Sequence, residues 1–342
     1  MMKKSLLSLG AASMAIAMLV SGCASTDAPS RFEQEKKELD AFLTGSKAVE
    51  KIEKTEDKTI DALAENSTIL YKRTGGAMRE YVEQARGSQA VIEMTYFMHT
   101  TPKATEEELK AKAENFIKNT CTETEKKELT PEKLIALGKL QYQYDAYLSL
   151  KQDFKDAEAL KARMSELKKD AASDTAAKKE LDDIQSGEKI FKERWAKTNW
   201  DAKVAELKGL LGDSQKIAQN LAVVAQDTSM KIQQKTQDLA GLSKEPAMTQ
   251  YSADVAALQA KKTFANDERK KEIDAEIAKV AERPEYKPVM DKKAQYEKEL
   301  AKLKSDSAVL SDGIGGQVNF TGKALPWLIQ QYLEMQSYAS EE

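Results

Sequence analysis

Histidine and cysteine are nearly missing: one His and two Cys in 342 residues. Zinc sites draw three or four ligands from His, Cys and acidic side chains, and nucleophilic triads need a histidine base. The single His99 supplies neither kind of cluster, and no CxxC or CxxCH is present for redox or haem chemistry. Aromatics are only 6% and prolines number seven, so neither a thick globular core nor frequent breaks are expected. Neither sign of charge dominates: 53 Lys and Arg face 56 Asp and Glu, for a formal net charge of −3. A nucleic-acid binder needs a basic face that releases phosphate counterions. Here the lysines are interleaved with acids, and no nucleic-acid partner is expected. Charged residues reach 32%, above the usual quarter or so, which suits long solvated helices. Beyond residue 20 no run approaches the 18 or so apolar residues that span a bilayer.

What is present begins at the first residues. Lys3 and Lys4 precede a nearly continuous apolar or small stretch from Leu6 to Val20, and Val20-Ser21-Gly22-Cys23 follows. A short apolar region behind two lysines is an export signal. Its ending resembles the lipobox of bacterial lipoproteins: aliphatic, small, Gly or Ala, then Cys. The resemblance covers residues 1–23. It implies that Val20, Ser21 and Gly22 are read by the signal peptidase and that residues 1–22 are removed. It also implies a diacylglyceryl thioether and an N-acyl chain on Cys23, with no other cofactor. Cysteine suits this position because its thiolate is the nucleophile that takes the lipid. Two or three acyl chains anchor stably where one does not. Ala24 follows, where Asp favours inner-membrane retention in lipoproteins sorted by that rule. The resemblance therefore implies an outer-membrane anchor facing the periplasm.

Residues 23–30 read as a small, polar tether, and residues 31–311 as long helices. Apolar residues recur at three/four spacing through Val49, Ile52, Ile60, Leu63 and Leu70, up to a break expected at Gly75-Gly76. A second helix is predicted from about Ala77 to His99. Thr105 to Glu108 is a capping-box pattern, and Thr130-Pro131 places an N-cap before a proline at N1. The helix opening there is predicted to carry a heptad through Leu150, Phe154, Ala157, Leu160, Met164, Leu167 and Ala171. Further stripes run through Leu181 to Trp195, Val204 to Val224, Tyr251 to Val280 and Tyr296 to Leu310. Ser186-Gly187, Pro246 and Pro284 read as turns. Narrow stripes must meet other helices, so the predicted fold is all-α: an elongated antiparallel bundle with coiled-coil-like hairpins. Residues 312–342 read as a Gly-rich loop or short strand, then a short amphipathic helix from about Leu325 with Pro326 near N1.

Cys121, flanked by polar residues, reads as a small buried hydrophobe at a helix end. His99 reads as a packing or helix-terminal residue. Residues 316–323 fail the phosphate-loop pattern in spacing and in lacking Ser or Thr after Lys323. Leu137-Gly138 with Tyr142, Tyr144 and Tyr147 resembles one tetratricopeptide helix, without the repeat such proteins need. These tyrosines, with Trp327 and Tyr332, are the candidate interaction aromatics; core packing is their other use. No catalytic or metal-binding set emerges. The expected function is a non-enzymatic, lipid-anchored scaffold or accessory protein of the cell envelope, with an envelope partner or self-association. The alternatives are a periplasmic holdase for outer-membrane clients and, further off, an α-helical membrane-active protein.

Overall fold

The computed structural model describes residues 36, 37, 40, 41, 52–154 and 156–340. The lipobox residues Val20, Ser21, Gly22 and Cys23, the tether at 23–30 and most of residues 31–51 lie outside them. The described residues fold as helices, with no strand among them. In chain order these are α1 Lys58–Ala85, α2 Gln89–Thr100, α3 Glu106–Thr120, α4 Glu125–Glu128, α5 Pro131–Asp153, α6 Ala157–Asp170 and α7 Thr175–Trp195. Then come α8 Trp200–Leu242, α9 Pro246–Thr263, α10 Asp267–Val280, α11 Lys287–Ala308, a π-helical turn Val309–Ile314, and α12 Gly315–Ser340. No described helix is long and apolar enough to cross a membrane.

The main core is a three-helix unit of α1, α8 and α12. With 43 residues, α8 is about 65 Å long. Helix α12 runs antiparallel to it: Gln336 donates to Asp201 at 3.0 Å and Ser214 meets Thr321 at 2.9 Å. The π turn carries the same rod back into α11, where Lys235 pairs with Glu299 at 2.7 Å. Helix α1 lies parallel to α12. The Thr68 hydroxyl donates to Gln317 at 3.3 Å, and that of Tyr81 to Gln331 at 3.1 Å. These polar pairs, the first part-buried and the second buried, set register between otherwise apolar faces, since a slip would strand them without partners.

A second layer is the antiparallel pair α5 and α7, tied together where Trp195 Nε1 donates to the Tyr144 hydroxyl at 3.0 Å and joined to the first where the Trp195 ring packs on Tyr81 and Tyr332. Helices α2 and α3 flank α5 through a smaller core of Ala90, Val91, Met94, Met98, Ala113 and Leu134. At the far end of α8, Leu242, Met248 and Val289 make a third cluster, beneath the α9–α10 hairpin.

Local capping chemistry is realised where the sequence called for it. Thr105 and Glu108 form the reciprocal capping box, the Thr130 hydroxyl accepts from Lys133 N, and Pro246 opens α9. Asn199, between Trp195 and Trp200, caps α8, and the two indoles stack at 5.2 Å.

Five expectations are corrected. Helix α1 continues through Gly75-Gly76, because Leu70, Thr74, Ala77, Met78 and Tyr81 keep its buried face unbroken. The chain turns instead at Gly87, whose φ of +82° only glycine adopts cheaply, so the helix expected over Ala77–His99 is two helices. The heptad from Leu150 to Ala171 does not lie on one helix: α5 ends at Asp153, and Asp156 caps α6 by accepting from Glu158 N. Ser186-Gly187 is no turn but the middle of α7. Residues 312–322 are neither loop nor strand. They form the end of the π turn and the start of α12, which is a central core helix with Pro326 in its interior. Buried residues recur at three/four spacing from Leu310 through Ile314, Gln317, Thr321, Ala324, Leu328, Tyr332 and Met335. That burial outweighs the helix-weakening glycines and the cost of about 3 kcal/mol for an interior proline.

Candidate functional site

The candidate interaction aromatics are mostly spent on packing. Tyr144 and Tyr332 are fully buried and Tyr147 nearly so. Tyr81, Trp195 and Tyr332 form an aromatic cluster at the junction of α1, α7 and α12, with Tyr332 edge-to-face to the other two rings. The Tyr332 hydroxyl is buried without a hydrogen-bond partner among the described residues, and burial pushes its pKa well up. Trp327 is half-buried against the edge of Tyr81 at 5.3 Å. Tyr142 is half-buried and stacks on His99 at 4.4 Å. Cys121 is free and buried at the end of α3, with its thiol pKa raised by burial, which makes it a weak nucleophile.

The polar centre of the molecule lies where α1, α2, α5 and α7 meet. Asp145 and Arg86, both nearly sealed from solvent, form an ion pair there. Gln141 Nε2 donates to Asp145 at 2.9 Å and to the Ala85 carbonyl at 3.3 Å. His99 Nε2 stands 3.4 Å from the second Asp145 oxygen. The lone histidine is thus held by a carboxylate and a tyrosine ring at the last turn of α2.

Arg194, near the end of α7, closes this network on its outer side. One terminal nitrogen donates to the Ala85 carbonyl at 2.9 Å and to Gln141 Oε1 at 2.7 Å. The guanidinium lies over the Tyr144 ring at 4.7 Å. No carboxylate pairs with it among the described residues, and burial lowers its pKa. It stays charged nonetheless, as arginine does. The fold thus holds a partly desolvated cation that meets a carbonyl, an amide and a ring face.

That cation lines an open groove of about 560 Å³ between α2, α4, α5 and α7. Its walls are apolar, from Val91, Leu129, Leu137, Leu140 and Ile190, and its rim carries Glu125, Glu128, Glu193 and Lys133. Ser88 lines it too. Ser88 is the N-cap residue of α2, yet its side chain makes no capping bond, and its buried hydroxyl has no partner among the described residues. The first-turn amides of α2 therefore lack the usual side-chain acceptor.

A second open groove, of about 790 Å³, runs between α5, α7 and the end of α12. Trp195, Trp200 and Tyr338 line it, with Lys151, Lys161 and Lys192 at its edge. Its aromatics are largely covered, so it presents mainly lysine stems. Among the described residues no group of three or more His, Cys, Asp or Glu is placed to hold a metal ion.

Arg194, Arg86, Asp145 and Ser88 escaped the sequence reading. One signal was present: Gln141 and Asp145 fall on the same three/four stripe of α5 as Leu134, Gly138 and Leu148. Polar residues at core positions of such a stripe must find buried partners. No protein-family model, no curated protein and no solved structure matches the chain.

Proposed function

We propose that the protein is a lipid-anchored helical scaffold or accessory interaction protein of the bacterial cell envelope, working without chemistry of its own. The observation that carries this reading is the Val20-Ser21-Gly22-Cys23 sequence behind Lys3, Lys4 and the apolar run. It supports diacylglycerol and an acyl chain on Cys23, and an outer-membrane anchor facing the periplasm. The helical body supports a binding role: among the described residues it carries open grooves along helix seams. His99, the one histidine, is engaged by Asp145 and Tyr142.

The anchor is tested by labelled-palmitate incorporation and fractionation. Wild-type chain labels and follows the outer membrane; Cys23→Ser abolishes the label and leaves a longer, unprocessed form. The interaction role is tested by cross-linking in living cells and mass spectrometry of what co-purifies. One stoichiometric partner, or the chain itself, supports a scaffold.

A second reading, a periplasmic holdase, draws on solvent-facing apolar residues: Phe264 is 93% exposed, Val223 67% and Met230 54%. It expects a broad set of outer-membrane precursors in the same cross-linking experiment, and suppressed aggregation of an unfolded client in solution.

A further inference from the structure

We infer that the groove between α2, α4, α5 and α7 is a receptor for the carboxylate end of a peptide whose last side chain is apolar, with Arg194 holding the carboxylate. This deepens the interaction-protein reading and rests on it for the kind of partner.

Three independent features meet in this groove. Arg194 is a desolvated cation without a carboxylate among the described residues, and only one of its two terminal nitrogens is used by the recorded bonds. A guanidinium presents parallel donors that match a carboxylate two-for-two, and such bonds are strong where water is scarce. Ser88 adds a buried hydroxyl without a partner, at the uncapped start of a twelve-residue helix whose amides also favour an anion. The walls of Val91, Leu129, Leu137, Leu140 and Ile190 suit an aliphatic side chain attached next to the anion. About 560 Å³ lies within the usual range for a small-ligand site.

The rim narrows the chemistry. Glu125, Glu128 and Glu193 ring the mouth against one lysine, Lys133. They repel a ligand that carries several negative charges, such as a polyphosphate or a nucleic acid. A ligand with a single terminal anion passes, and amides upstream of that end can donate to the rim carboxylates. Peptide C-termini have this distribution. A fatty acid has the terminal anion but no donors for the rim, and an open groove leaves most of an acyl chain wet.

Fluorescence anisotropy of the full-length chain with labelled, otherwise neutral octapeptides tests this. A peptide ending in leucine with a free carboxylate is expected to bind at least tenfold tighter than the same peptide ending in an amide. It should also bind tighter than one ending in glycine. Arg194→Gln should erase the acid-over-amide preference. Because Arg194 also braces Ala85 and Gln141, Leu140→Glu serves as the second variant. Leu140 is 45% exposed, so its replacement should leave the melting temperature unchanged while the added carboxylate abolishes binding. Equal affinity for acid and amide, no binding of either, or binding of dodecanoate without the peptide would overturn the inference. Each of these outcomes leaves the broader interaction role to be decided separately by the cellular cross-linking.

Discussion

Gly187 lies so close to Gln143 that a β-carbon on it would stand 2.6 Å from the Gln143 carbonyl oxygen, and closer still to Tyr147 Cβ. This contact sets the approach of α7 to α5, and through it the position of Arg194 two turns further on. Gly187→Ala should destabilise the protein by about 1–3 kcal/mol through overpacking, despite the better helix propensity of alanine. Urea titration checks this; a variant as stable as wild type would show that the two helices can part at no cost.

The opposite sign is expected at Gly76. A β-carbon there meets nothing within 4 Å, and the residue sits inside α1. Gly76→Ala should raise stability by about 0.5–1 kcal/mol, since alanine loses less backbone entropy on folding. The urea midpoint should rise with an unchanged slope.

Arg86 and Asp145 should behave as a pair. Either one alone in this sealed site leaves an uncompensated charge, and Asp145→Ala should cost about 3–5 kcal/mol. Arg86→Met combined with Asp145→Leu should cost clearly less than the sum of the single changes. A double-mutant cycle reads the coupling; strictly additive costs would mean that solvent reaches the pair.

Asp57 caps α1 by accepting from the backbone N–H of Thr59 and Ile60, and these bonds hold its carboxyl below the ordinary value of 3.8. A carboxyl depressed in the folded state stabilises fully above its unfolded value, and that contribution fades as pH falls through the lower folded value. Asp57→Ala should therefore cost about 1 kcal/mol at pH 7. The gap to wild type should close below pH 4. Asp57→Asn, which keeps the acceptor without the charge, should show no such closing. Thermal melts across that range would reveal it.

Some of this architecture is legible in the residues and some is not. The caps at Thr105 and Thr130 were readable because a cap joins groups within about three residues of each other, and no distant helix alters that chemistry. The all-α class was readable because an apolar repeat of three and four survives substitution at any one position. Glycine was misleading at Gly75, Gly76, Gly187 and residues 313–322, since a local propensity of about 1 kcal/mol yields to the burial of a whole helix face. Gly87 and Gly187 carry the same side chain, yet one turns the chain and the other admits a neighbouring helix.

What the sequence by itself determined is the helical class and the helix starts at Thr105 and Thr130, for each is written in residues near one another along the chain. Only the tertiary structure decided that residues 312–340 belong to the core. It alone set Arg86 on Asp145 across 59 residues, and left Arg194 facing an apolar groove without a paired carboxylate among the described residues. Such a site arises from groups on four separate helices, and their meeting depends on how faces pack rather than on any local pattern.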